Sequence, residues 1–142
     1  MQQMTTAEWR AFVMDGSRTG KLATVRADGR PHAVPIWFML EGEDLLFMTG
    51  SDTVKARNLR QNNKVTVVVD DESFPFSFVS IEGEATLHVL APTDLLPYSI
   101  EIARRYVGVE RAEEFGRRNA VAGELLVRVH PTKVISAKDL AD

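Results

Sequence analysis

The stretch Lys21-Leu22-Ala23-Thr24-Val25-Arg26-Ala27-Asp28-Gly29-Arg30-Pro31-His32-Ala33-Val34-Pro35-Ile36-Trp37-Phe38-Met39-Leu40 decides the fold. Lys21 to Arg26 is a short β-branched and apolar run, and Asp28-Gly29 behind it supplies the positive φ angles that a two-residue hairpin turn favours. The returning strand, Pro31 to Leu40, is apolar on both faces from Ala33 onward, which predicts cover on both. Pro35 interrupts it. Proline donates no ladder hydrogen bond, so this position must be an edge, a bulge or a place where something other than a strand approaches.

Upstream, Thr6 to Met14 predicts a short helix, with Trp9, Phe12 and Val13 at helical spacing, a threonine to cap it and Asp15-Gly16-Ser17 to end it. Downstream, Gly42 marks a turn and Asp44 to Thr49 a third strand. Asp52 to Arg60 predicts a helix of about two turns capped by Ser51 or Asp52 and ended by Asn62-Asn63. Val65 to Val69 reads as a buried strand, Asp70-Asp71-Glu72 as a solvated loop, and Phe78 to Val89 as a long strand. Leu95, Tyr98, Ile102 and Tyr106 recur at helical steps, and a shorter helix is expected from Glu110 to Asn119. Glu124 to Ala137 is the last strand, with Leu126, Val129 and Val134 as core candidates. Six strands in mostly hairpin order, with helices inserted rather than alternating, exclude a doubly wound sheet. The expectation is a β-rich α+β domain over residues 1–142, a small antiparallel barrel of six strands with helical excursions.

Composition narrows the chemistry. A chain of 142 residues fits one core and one site. Its 44% hydrophobic and 26% charged content is globular usage, and no run of about eighteen apolar residues is present to span a bilayer. The start, Met1-Gln2-Gln3-Met4, lacks the basic and apolar regions of a secretion signal, so a cytoplasmic location is expected, with no membrane partner. Zero cysteines exclude thiolate metal sites, iron–sulfur clusters and cysteine nucleophiles within the chain. A net charge of −3 argues against nucleic acid as a partner.

Gly16-Ser17-Arg18-Thr19-Gly20-Lys21 imitates a phosphate loop, but three residues separate its glycines where four are needed, Leu22 follows the lysine, and a strand follows in place of a helix. His32, His88 and His130 lack the spacing of helical zinc ligands and read as strand histidines, so no metal is expected. The segment from Thr49 to Arg60 differs. Lys55 and Asn58 are three apart and share a helix face, while Arg57 points elsewhere. Thr49, Ser51 and Thr53 add hydroxyls beside unpaired helix-start amides, which favour negative charge. A phosphate is the natural occupant, and a capped surface helix with a solvated basic face explains the same residues equally well.

Taken as a set, Lys21-Leu22-Ala23-Thr24-Val25, Asp28-Gly29-Arg30-Pro31-His32, Pro35-Ile36-Trp37-Phe38, Thr49-Gly50 and Lys55-Ala56-Arg57-Asn58-Leu59 resemble the pyridoxamine-phosphate-oxidase-like (FMN-binding) split-barrel superfamily in order and spacing. Within it the chain is most similar to the flavin/deazaflavin oxidoreductases of group B. The resemblance implies a six-stranded antiparallel split β-barrel with short flanking helices, working as a homodimer with cofactor grooves between the subunits. It implies a flat ring against His32, Val34, Pro35, Ile36 and Trp37, and a phosphate at Thr49, Ser51, Thr53, Lys55 and Asn58. The C-terminus, Lys138 to Asp142, has no evident counterpart of the basic segment that grips substrate phosphate in pyridoxamine-phosphate oxidases. Position 53 is threonine where some F420-binding relatives carry a basic residue, which puts more weight on Lys55.

The function so implied is a coenzyme F420-dependent reductase passing hydride to a conjugated small-molecule substrate, with no side chain required as a catalytic residue. An FMN-dependent oxidase or flavin reductase, and a non-catalytic protein binding flavin, deazaflavin or haem, remain open on the same fold.

Overall fold

The structure, a computed structural model, describes residues 2–142. The elements in chain order are α1 Thr6–Met14, β1 Gly20–Val25, β2 Pro31–Ile36, β3 Met39–Glu41, β4 Asp44–Gly50, α2 Val54–Gln61, β5 Lys64–Asp71, β6 Ser77–Val89, α3 Pro92–Val107, α4 Ala112–Asn119 and β7 Glu124–Ala137. The strands form one antiparallel sheet in the order β2-β1-β5-β6-β7-β4-β3.

This corrects the strand count to seven. The run expected as one strand from Pro31 to Leu40 is broken at Trp37-Phe38, and its halves form the two opposite edges of the sheet. With consecutive Cα atoms about 3.8 Å apart, Ile36 and Met39 cannot be separated by more than about 11 Å, so the sheet is rolled enough to bring its two edges that near at this corner. No ladder joins β2 to β3 among the described residues, and closure of the barrel by strand pairing is not shown. Pro35 does lie on an edge strand, where its missing N–H costs no ladder bond.

The interior is filled by Val13, Leu22, Phe38, Phe47, Val67, Val79, Ile81 and Val127, all fully buried, with Trp9 of α1 at the rim. A second cluster, Leu46, Leu95, Ala120 and Leu126, joins the outer face of β4 and β7 to α3. The outer face of β2 has no such cover. Pro31, Ala33 and Pro35 are exposed, so the burial on both faces expected from the sequence is not met within one chain.

Several local details differ from expectation for identifiable reasons. The β1–β2 loop has three residues, Ala27, Asp28 and Gly29, closed by Arg26 N–H to Arg30 O and Gly29 N–H to Arg26 O, both at 2.9 Å. Only Gly29 takes a positive φ, +88°, while the Asp28 carboxylate accepts the Arg30 N–H at 3.0 Å. Thr53, not Ser51 or Asp52, caps α2, its hydroxyl accepting from Ala56 N–H at 3.2 Å. Asp70 and Asp71 are not a loop but the end of β5, where Lys21 Nζ meets Asp70 at 2.9 Å and Arg18 meets Asp71 at 3.3 Å. Among the described residues no helix is long and apolar enough to cross a membrane.

Candidate functional site

The break between β2 and β3 leaves the backbone of Phe38 without strand partners, and buried peptide groups must be satisfied elsewhere. Two consecutive residues of α3 do this. The Tyr106 hydroxyl accepts from Phe38 N–H at 3.2 Å and donates to Arg18 O at 3.0 Å. The Arg105 guanidinium donates to Phe38 O, to Val13 O at 3.0 Å and to the Tyr106 hydroxyl at 3.1 Å, with its Cζ 4.6 Å from the centre of the Phe38 ring. Burial pulls the Arg105 pKa below its ordinary value and pushes that of Tyr106 up. The preceding residue, Trp37, is thereby held against α3. Its ring stacks on Tyr106 at 5.0 Å and 6°, and meets Phe115 of α4 at 6.4 Å.

Beside this seam lies a cavity of about 250 Å³, lined by Pro35, Ile36, Trp37, Met48, Lys55, Ser99, Ile102, Asn119 and Glu124. Four of the residues singled out in the sequence, Pro35, Ile36, Trp37 and Lys55, therefore meet in one place. Lys55 enters no ion pair among the described residues. Glu124 is partly buried, which raises its carboxyl pKa; Lys55 acts in the opposite sense and Asp52 adds to the rise.

The other singled-out residues surround this centre without lining it. Asn58, three residues from Lys55 on α2, does not line the cavity with it. It is buried, and its side-chain amide donates to Thr24 Oγ1 of β1 at 2.9 Å. Thr49 is buried, its hydroxyl 2.8 Å from that of Thr53, which in turn donates to Gly50 O at 2.9 Å. Ser51 is fixed through its backbone, its N–H donating to Gly123 O at 2.8 Å and its C=O accepting from Arg60 at 2.7 Å. Val34, opposite Leu22 in the register, is half-buried on the inner side of β2. His32 pairs with Thr24 in the same register, and its Nδ1 is buried with no partner among the described residues. Burial, then the charges of Arg26 and Lys55, hold its pKa below the ordinary value.

Sequence reading missed Met48, Ser99, Ile102, Asn119 and Glu124. Ser99 and Ile102 stand three apart and so lie on one face of α3, a spacing visible in the sequence, but nothing local tells which strand that face covers. Glu124 carries the one usable signal, a carboxylate placed directly before the apolar run Leu125-Leu126-Val127.

Known proteins with similar sequences and structures agree with this architecture. A reductase of 5a,11a-dehydrotetracycline and 5a,11a-dehydrooxytetracycline from Streptomyces rimosus is 45% identical over 56 residues, which is 37% of this chain and 39% of that protein. A conserved hypothetical protein from Mycobacterium tuberculosis superposes with a TM-score of 0.82 at 27% identity, covering 98% of this chain and 89% of that one. A solved F420 reductase superposes with a TM-score of 0.71 at 26% identity, covering 87% and 94%. The sequence profile of pyridoxamine 5'-phosphate oxidase matches residues 5–136, nearly the whole sheet and all four helices, and the chain therefore belongs to the pyridoxamine 5'-phosphate oxidase family.

Proposed function

We propose that the protein is a coenzyme F420-dependent reductase acting on a conjugated small-molecule substrate, with its cofactor in the groove between β2 and α2. One observation carries this reading: the donor-poor edge at Pro35-Ile36-Trp37 and the ammonium of Lys55 line the same cavity. A flat ring and a phosphate are what those two surfaces suit. The likeness to a solved F420 reductase supports the deazaflavin over FMN, and the likeness to a dehydrotetracycline reductase supports a small-molecule acceptor.

The fit rests on polar groups that the chain leaves unanswered. Among the described residues Lys55 enters no ion pair, and His32 Nδ1 is buried without a partner. Lys55 would hold the phosphate, with Ser51 and Thr53 at the same helix start. Thr49 and Asn58 act through others, Thr49 by orienting Thr53 and Asn58 by tying α2 to β1. Pro35 and Ile36 would face the ring, and Val34 and His32 would shape the inner side of the strand that carries it. The reduced deazaflavin, when bound, supplies a hydride to an electron-poor double bond. The chain's part is to bind, to orient and to exclude water, and Trp37, fixed by Tyr106 and Phe115, forms the wall that does the last.

The active form is a homodimer. The exposed row Pro31, Ala33 and Pro35, beside Val25 on β1, is the surface a second copy would cover. Titrating the purified protein with F420 and with FMN, followed by absorbance and fluorescence, tests the reading. Tighter binding of F420 is expected. Tighter FMN, or yellow protein from which F420 cannot displace FMN, would replace it with an FMN oxidoreductase. Binding of F420 without turnover of any conjugated acceptor would leave a carrier protein.

A further inference from the structure

Glu124 opens β7 opposite Gly50, and its side chain leans back over that turn. The spot that a Gly50 Cβ would occupy lies 3.6 Å from Glu124 Oε1 and 3.4 Å from Asp52 Oδ1. Glu124 and Lys55 line the same cavity, so the ammonium assigned to the phosphate shares its wall with a carboxylate, and a second one, Asp52, lies at the same turn. The neighbouring cations are directed elsewhere. Arg57 donates to Asp52 O at 3.0 Å and Arg60 to Ser51 O at 2.7 Å. The remaining polar groups of the wall, Ser99 and Asn119, are neutral. A site built to grip a dianionic phosphate would not place a carboxylate here.

Phosphate groups differ in charge. A phosphomonoester such as that of FMN has a second pKa near about 6 and carries close to two negative charges at neutral pH. The F420 phosphate is a diester, with one ionisable oxygen and one charge. We propose that Glu124, lining the cavity together with Lys55, is a specificity residue that admits a monoanionic phosphodiester and disfavours a dianionic phosphomonoester. The inference rests on the assignment of Lys55 to the cofactor phosphate. Coulomb energy scales with the product of charges, so neutralising Glu124 should improve a dianion by the square of the factor gained by a monoanion in the same place.

The test is a fluorescence titration of F420, FMN and riboflavin against the wild type, Glu124→Gln and the exposed-site variant Asp52→Asn, with a thermal melt of each protein. Glu124→Gln should bind FMN about tenfold tighter and F420 about threefold tighter, with riboflavin, which has no phosphate, unchanged. Asp52→Asn should shift FMN in the same direction by a smaller factor. Lowering the pH from about 7.5 to about 5.5 should narrow the wild-type preference for F420, because FMN gains a proton and Glu124, with its raised pKa, loses charge earlier than an ordinary carboxylate. Equal gains for FMN and F420, a matching gain for riboflavin, or no movement of FMN in either variant overturns the role of Glu124 while leaving F420 binding intact. A wild type that binds none of the three removes the functional reading and this inference together.

Discussion

The hydroxyl of Tyr106 and the peptide N–H of Phe38 meet at 3.2 Å across 68 residues of sequence, and this contact replaces the ladder bond that an unbroken strand would have made. Removing the hydroxyl strands a buried donor and frees Arg105 and Arg18 O at the same point. Tyr106→Phe should therefore destabilise the protein by about 1–3 kcal/mol, the usual penalty for an orphaned buried group. Denaturant unfolding measures it, and a loss near zero would mean that water replaces the hydroxyl.

Lys55→Ala should weaken F420 binding by roughly 1.5–3 kcal/mol, the range for hydrogen bonds to charged groups. The ligand-free protein should melt as the wild type does, because Lys55 holds nothing else in place. Unchanged affinity by fluorescence titration would return α2 to the reading of a solvated surface helix.

Gly116 of α4 packs on α3 so closely that an added Cβ would stand 2.9 Å from Ile100 Cα and 2.4 Å from Ile100 Cγ1, while Ser99 Oγ donates to Gly116 O at 2.9 Å. Gly116→Ala should cost about 1–3 kcal/mol of stability, as overpacking does. Because Ser99 and Asn119 line the cavity and Phe115 meets Trp37, F420 affinity should fall in the same variant. A stability loss with unchanged affinity would detach α4 from the site.

Glu8 has its pKa lowered from 4.5 to about 2, first by its hydrogen bond to Lys138 and then by the Thr5 N–H of the helix cap. A depressed carboxylate contributes stability that is present above pH 4.5 and lost as the pH falls through about 2. Glu8→Gln keeps the cap but removes the charge. The melting difference between wild type and variant should be present at neutral pH and shrink between those values; a constant difference would exclude the ion pair as its source.

Sedimentation should give a species near twice the 15.8 kDa chain mass. Charging the bare face of β2 with Ala33→Glu should shift it toward monomer while the monomer stays folded. A wild-type monomer at micromolar concentration that still binds F420 would remove the dimer.

Helices and strands were legible wherever one periodicity ran without competition, as in α1, β6 and β7. The break at Trp37-Phe38 was not, because no glycine or polar residue marks it and its cause lies in Arg105 and Tyr106, far along the chain. Pro35 did announce an edge, through a donor that it lacks. Half of the site was legible for the same kind of reason: Lys55 and the β2 residues carry their chemistry locally. Helical spacing places Asn58 beside Lys55, but it carries no sign of the hydrogen bond to Thr24 that decides where its amide goes. Glu124, Ser99 and Asn119 enter the cavity only through tertiary packing.

The rolled sheet has two free margins, and unpaired strand margins invite other chains to add on and grow aggregates. Here they are defended differently. The β3 margin is three residues long, too short to template much, whereas β2 offers six residues but withholds two N–H donors through Pro31 and Pro35. The proline that leaves a quiet wall for a flat ligand thus also serves as a guard against fibre formation. Any redesign of the pocket at position 35 inherits that second duty: Pro35→Val should turn up as turbidity on storage even where ligand affinity is kept.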